Sequence, residues 1–401
     1  MKHYKLSLIL LLVANLSYGS GFRLTNQDSL ATARGGAYVA TAEGPAAVYY
    51  NPAGLTQLEG SAVQAGVFAV DFDVSVQTDG ASFSNSNPWQ FIPHLYYAQS
   101  TDDYSFGVGV YSPYGLANKW GDNTSFRTIT TEAEVTYITV SPVIAKSFGE
   151  NLSLGAGLTI NYAEADLRLG FTSNGNDEFQ FKGDDIDVGF VLSGFWNPAP
   201  KHYFGAIYRS HVDHSLEGDS KGSEELAAFE QIGLFLVDTE TTRTDMDIPD
   251  YAVVGYSYRP TPQWNIEFDL EWVNWDRFNT FILDSESRSL PFAFEWESTF
   301  IYEIGASYYW KDYVFSAGYD YNENAQPDKT YNPAVSDADR HWFNVGVGRK
   351  VDNFSWHVTY QYGYSNRTVS NSDPNPLSGE TANGRYESRI HGFILSADYR
   401  F

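Results

Sequence analysis

The sequence reads as an all-β protein, a transmembrane antiparallel β-barrel of about fourteen strands with an N-terminal segment folded into its lumen as a hatch (plug). Three features predict this. After Gly60 hydrophobicity recurs with period two, the period of strands. The connections between those strands alternate short and long, like the two rims of an outer-membrane barrel. Residues 20–60 lack the alternation and are dominated by small side chains, among them Ala31, Ala33, Gly35, Gly36, Ala37, Ala40 and Ala42, which suits a compact body inside a shell.

The expected division is a signal peptide over 1–19, the hatch over 20–60 and the barrel over 61–401. Lys2 and Lys5 give a basic start, Leu6–Leu16 an apolar core, and Ser17-Tyr18-Gly19 places small residues around a cleavage site before Ser20. In the hatch, Pro45 suits the first turn of a short helix, where a missing N–H costs nothing. Asn51-Pro52 marks a turn, because the residue before proline is pushed out of the helical region.

Strands are expected near 61–77, 89–100, 103–116, 132–147, 151–169, 179–196, 201–216, 249–259, 262–280, 297–310, 312–322, 341–350, 353–364 and 387–401. The clearest is Trp264–Trp272. It puts Trp264, Ile266, Phe268, Leu270 and Trp272 on a lipid-facing side and Asn265, Glu267, Asp269 and Glu271 inside. Short turns such as Lys311 and Val351–Asp352 alternate with long connections at Glu217–Ile248, Tyr321–Arg340 and Ser365–Tyr386, which puts hatch and C-terminus at the periplasmic rim. A helix is expected over Ser223–Val237, with Ser223 as its cap. The last strand carries Phe393, Leu395, Tyr399 and Phe401 on one face, the mark of a closing strand read by the barrel assembly machinery.

Composition bounds the rest. The chain has no cysteine, which excludes thiol catalysis and Cys-ligated metals. Aromatic residues make up 16%, with 29 Tyr and 10 Trp, which fits the girdles of a membrane barrel. A formal charge of −25 makes nucleic acid a poor partner. No later run approaches the ~20 apolar residues of a membrane helix. The mean hydropathy of −0.34 does not count against a barrel, since only alternate strand residues face lipid.

The hatch carries Gly21-Phe22, Arg34-Gly35 with Ala37, and Asn51-Pro52-Ala53 followed by Gly54-Leu55. On these residues the chain resembles the FadL-type outer-membrane transporters of long-chain fatty acids and other hydrophobic compounds. Gly107–Leu116, with Pro113, Tyr114 and Gly115, resembles the family's third strand, where an inward kink opens the wall sideways. Proline lacks the ladder N–H and glycine tolerates irregular dihedrals, so a break there also follows from the residues. The resemblance continues through Lys182–Asp185, Tyr208–Ser210, Tyr258–Pro260, Trp272–Phe278 and Asp337–Trp342. The connection Gly170–Glu178 is short where the family can carry a long loop.

The resemblance implies passive passage of fatty acids or similar apolar molecules through a monomer in a Gram-negative outer membrane, beside lipopolysaccharide and without a cofactor. Phe22, Leu24 and Arg34 are the expected hatch and gate residues. Leu167, Leu169, Leu226, Phe229 and Ile232 are candidates for an apolar pocket. Arg168 and Arg209 are candidates for a ligand carboxylate, although strand parity turns Arg168 outward unless a bulge re-aims it. An aromatic hydrocarbon such as toluene needs the pocket and no cation. A non-transporting adhesin or structural barrel is a further alternative.

No Ser, His and acid are spaced as a catalytic unit, and the reading assigns no catalytic or metal-binding residue. Glu267, Asp269 and Glu271 stack on one inner face, where two readings meet: acid/base or Ca²⁺ chemistry, or pairing with arginines such as Arg34 and Arg209 that anchor the hatch.

Overall fold

The computed structural model describes residues 20–78, 80–87, 89–173, 175–232 and 236–401; the expected signal peptide lies outside them. Fourteen staves form the wall. They are β1 Ser61–Thr78, β2 Gln90–Ser100, β3 Ser105–Tyr111 with Gly115–Lys119, β4 Glu132–Phe148, β5 Leu152–Leu169, β6 Phe179–Ala199 and β7 His202–Arg209 with Val212–Gly222. The remainder are β8 Glu240–Ile248 with Tyr251–Tyr258, β9 Trp264–Val273 with Thr280–Ser285, β10 Ser289–Ala293 with Thr299–Trp310, β11 Tyr313–Asn322, β12 Arg340–Val351, β13 Phe354–Val369 and β14 Gly384–Arg400. Each pairs antiparallel with the next. β14 returns to β1 from Ala62↔Arg400 to Gln77↔Arg385, so the sheet has no free edge. In a bilayer a barrel must close, because an unpaired edge would leave its N–H and C=O groups without water.

Alternation follows the solvent. On β9, Trp264, Ile266 and Phe268 are exposed while Asn265, Glu267, Asp269 and Glu271 are buried. On β5, Leu154, Leu158 and Ile160 are exposed while Ser153, Thr159 and Asn161 are buried. The short rim turns tightly. Lys201, Lys311 and Asp352 take positive φ of 75°, 54° and 54° there.

The loop rim differs from the sequence reading in two places. Glu217–Ile248 is not one long loop. β7 runs on to Gly222 and pairs with β8 from Val212↔Ile248 to Ser220↔Glu240, so most of it is a tall hairpin. Its tip is a 3₁₀ helix over Glu224–Ile232, not a helix to Val237. The Ser223 hydroxyl accepts from Glu178 N (3.1 Å), tying that tip to β6. The segment between β3 and β4 is pinned to the loop before β6 by the buried Arg127–Asp177 ion pair (2.8 Å).

The hatch lies inside the ring. It holds two short helices, α1 Ser29–Ala33 and α2 Ala47–Tyr50, then a 3₁₀ turn over Pro52–Gln57. Asp28 caps α1 by accepting from Ala31 N (2.8 Å). Small residues let it approach the wall: a Cβ on Gly318 would come 2.0 Å from Arg34 C, and one on Gly305 2.2 Å from Arg34 O.

Candidate functional site: hatch, kink and aromatic cage

The inner face of β9 receives the hatch. Tyr38 N and Val39 N both donate to Asp269 Oδ2 at 2.8 Å. Ala40 N donates to Glu267 Oε1 at 2.7 Å, and the Thr41 hydroxyl to Glu267 Oε2. Arg34 lies 3.9 Å from Glu267 Oε2, and Arg23 Nε lies 2.8 Å from Glu271 Oε1. The carboxylates therefore act as acceptors for hatch amides and guanidinia. A lone buried charge would cost several kcal/mol, and these contacts offset that cost. The second sequence reading is the one seen, with one change of partner. Arg209 meets no acid; its Nη2 donates to the carbonyls of Val48 (3.2 Å) and Tyr49 (2.8 Å) at the end of α2. The wall acid next to Arg23 was legible, but Arg23 itself was not singled out.

The Asn-Pro-Ala motif is a second anchor. Asn51 Nδ2 donates to Val39 O (2.7 Å) and Gly194 O (3.0 Å), and Asn51 Oδ1 accepts from Ala53 N (3.1 Å). Pro52 starts the 3₁₀ turn, and Ala53 N also reaches Ser193 Oγ at 2.9 Å.

β3 kinks at Ser112–Tyr114 and resumes at Gly115. Its ladder to β2 stops at Leu95↔Val110. The backbone groups freed at the kink turn to the hatch. Leu24 N donates to Pro113 O (2.8 Å), and Gly115 N to Phe22 O (3.1 Å). The Gln27 amide spans both groups of Ser112, donating to its carbonyl at 2.7 Å and accepting from its N–H at 3.3 Å. Hatch residues 22–27 thus stand in for the missing neighbouring strand.

Above the kink, Phe22 sits in a cage of aromatic rings. Its centroid lies 5.0 Å from Trp275, 5.6 Å from Phe278, and 5.9 Å from both Tyr114 and Trp296. Gly21 at the tip takes φ +60° against Trp275, and its N–H donates to Asp337 Oδ2 (3.1 Å) in the loop after β11. Burial pushes the Asp337 carboxyl up to about 6, against the pull of Arg340 and the Ala325 and Arg367 groups. Trp275, Trp296 and Gln27 were not picked from the sequence. Their only signal is a cluster of aromatics in Trp272–Phe278 and a polar residue in a small-residue segment.

The other candidates separate. Leu167 and Leu169 are half-buried on the inner face, and Leu226 is buried. Phe229 packs on Phe171 (5.6 Å) within the same apolar cluster. The Ile232 side chain lies outside the described residues. Arg168 stays on the outer face as parity demands, bonded to Asp166 (3.1 Å) and near Glu132 (3.7 Å), so it does not reach the lumen. Arg209 is buried, and its Nε and Nη1 have no hydrogen-bond partner.

A closed meander barrel, filled by its own N-terminal segment and kinked inward at one stave, is an outer-membrane transport barrel in architecture. The chain belongs to the family described as outer membrane protein transport protein (OMPP1/FadL/TodX), whose model matches residues 10–401. It is thus a protein of the Gram-negative outer membrane. It is 23% identical to the long-chain fatty acid transport protein of Escherichia coli K12, over 90% of this chain and 92% of that one. A putative outer membrane protein of Neisseria meningitidis is also 23% identical, over 96% and 95%. Among solved structures, a Pseudomonas aeruginosa FadL homologue superposes with a TM-score of 0.88 at 19% identity, covering 95% of this chain and all (100%) of that one. The Pseudomonas putida toluene transporter TodX gives 0.74 at 17% identity, covering 95% and 99%.

Proposed function

We propose that this protein carries long-chain fatty acids or similar hydrophobic molecules across the outer membrane by passive diffusion, leaving sideways at the β3 kink when the hatch tip withdraws. The observation that carries the reading is the bonding of residues 22–27 into the kink, with Phe22 in the aromatic cage. Displacing Phe22 opens an apolar site and frees the kink in one movement. Leu167, Leu169, Leu226 and Phe229 form the outer approach. Each CH₂ buried there contributes about 0.8 kcal/mol, which draws the solute out of an aqueous mouth.

Arg209 favours an acid over a plain hydrocarbon. Two nitrogens of a buried guanidinium, Nε and Nη1, have no hydrogen-bond partner, and a carboxylate supplies one. Toluene uptake is the second reading, supported by the likeness to a toluene transporter. The closed β14–β1 seam leaves no edge for self-pairing and supports a monomer. Phe401, 71% exposed at the end of β14, is the residue offered to the assembly machinery. Lipopolysaccharide surrounds the barrel, and the reading needs no catalytic step.

The test is uptake of labelled oleate and labelled toluene by cells lacking their own transporter, with the intact chain and with Pro113 and Gly115 replaced by strand formers. The expected result is oleate uptake with the intact chain and a fall in the variant. Uptake of toluene alone changes the substrate. Uptake of neither, with barrel folded in the membrane, sinks the transport reading.

A further inference from the structure

The wall is also interrupted between β6 and β7. The ladder runs from Trp196↔Phe204 to Val191↔Arg209 and starts again at Asp184↔Glu217. Between these, Asp185–Phe190 face Ser210–Leu216 with one residue more on β7, and no strand pair joins them. The far edges are intact. β6 stays paired to β5 from end to end, and β7 resumes against β8 in the same register on both sides of its break. The fault therefore belongs to this one seam.

A few bonds close it in place of the ladder. Phe190 N donates to Ser210 Oγ (2.9 Å), Ser210 N to Phe190 O (3.0 Å) and Ser215 N to Asp185 Oδ2 (3.2 Å), while Val188 N turns to the side chain of its own neighbour, Asp187 Oδ1 (2.7 Å). Irregular backbone at membrane depth is tolerated where it lines a cavity or is covered by protein. Outside the seam, Ile186 and Val188 are 64% and 54% exposed, a lipid-facing rim. Inside it stands His214, fully buried. Its Nδ1 bonds Asp185 Oδ2 (3.1 Å), and its Nε2 is buried without a partner.

The seam connects to the first interruption. Partners across the intervening staves run Tyr111↔Thr139, Thr139↔Asn161 and Asn161↔Asp187, so both faults lie at one height. On the lumen side, Tyr114 of the kink packs on Tyr137 (5.3 Å), and Tyr137 on His214 (5.5 Å). This aromatic row joins the Phe22 cage to the β6–β7 seam.

Resting on the transport reading above, we infer that the β6–β7 seam is a second lateral portal. It passes a single-chain amphiphile between lumen and membrane, the chain leaving between Val188 and Asp213 while the polar head is held at His214 Nε2. The head requirement follows from the buried, unpartnered ring nitrogen, and the single chain from the width of a seam bridged by a few bonds.

The chain has no cysteine, so a pair can be placed without background. Val188→Cys with Asp213→Cys puts thiols on the two exposed lips, to be linked by a bifunctional thiosulfonate. Phe268→Cys with Ile304→Cys, opposite each other on an unbroken stretch of the β9–β10 ladder, is the control. Oleate uptake is expected to fall by about half when the lips are linked, one of two parallel routes being closed, and to return with reductant. The control pair should show no change. A second variant, His214→Leu, should raise the oleate KM and leave toluene uptake as it was. Linked lips with unchanged oleate uptake would overturn the portal while the transport reading stands. No oleate uptake by the unlinked protein would sink the transport reading, and this inference with it.

Discussion

The hatch is held at its base and at its tip by different chemistry. The base, from Arg34 to the 3₁₀ turn, is fixed by backbone N–H groups on buried carboxylates, by Asn51 and by wall glycines that let the two backbones touch. The tip, residues 20–27, is held by bonds to the kink, by Asp337, by ring contacts around Phe22 and by one buried ion pair, Arg23 with Glu271. Breaking a base contact strands a buried charge or donor. Withdrawing the tip as far as Phe22 exchanges ring contacts that an apolar ligand can replace and leaves the Arg23–Glu271 pair in place. A fixed base with an exchangeable tip is what a gate needs, since the plug must let go at one point without falling out.

The largest predicted effect attacks the base. In Gly318→Val the new side chain collides with Arg34 backbone, so the hatch cannot seat. The barrel is expected to fold around a displaced plug and pass small hydrophilic solutes, with conductance in planar bilayers up by roughly tenfold, as an emptied barrel of this size would allow. A closed bilayer record would contradict the claim that the base seals the lumen. Next comes Asp269→Ala. It leaves Tyr38 N and Val39 N without acceptors, at about 1–3 kcal/mol for each. The urea midpoint of the barrel in detergent should drop accordingly; an unchanged midpoint means the ladder acids are not what hold the hatch.

How far this was readable from sequence depends on what fixes each feature. The wall was legible because lipid forces alternate residues outward; a sandwich strand would show the same alternation as Trp264–Trp272, and the strand count, the leader and the aromatic chain end decide for the barrel. The β3 kink was legible because Pro113 and Gly115 act locally. Parity also gave the warning about Arg168, which stayed outside. The hatch contacts were not legible: Val39 and Asp269 meet only when fourteen staves have closed. Gln27 filling the place of a strand carries no periodic signal. The β6–β7 fault is a one-residue shift at Ser210–His211, with no proline to mark it and only Gly189 facing it, one glycine among many in the wall. The tall β7–β8 hairpin was missed because its polar strands, outside the membrane, lack the apolar half of the alternation.

A smaller change sharpens the contrast at the tip. Gln27→Ala removes the amide that spans both backbone groups of Ser112. The loss is about 1–3 kcal/mol on the closed state. Because it weakens closure and leaves the base alone, stability should barely move while oleate uptake at low concentration rises a few-fold. Uptake that falls together with the urea midpoint would make Gln27 part of the base and blur the division.

The smallest effect is one of pH, at the outermost contact of the tip. Burial raises the Asp337 carboxyl to about 6, above the ordinary aspartate value of 3.8. The folded state therefore holds this proton more tightly than the unfolded chain. The stabilisation is complete below the unfolded value and is lost as pH rises through about 6. The folded chain is then more stable at pH 5 than at pH 7.5 through this group, by at most about 1.4 kcal/mol per pH unit across the window. The Gly21 N–H bond works the other way, since it favours the ionised carboxyl and pulls its pKa down. The urea midpoint of the barrel should therefore rise slightly on acidification from pH 7.5 to pH 5. Asp337→Asn should remove that rise, because the amide keeps an acceptor for Gly21 N but cannot titrate, and the same slope in wild type and variant would assign the pH response to other acids at the loop rim.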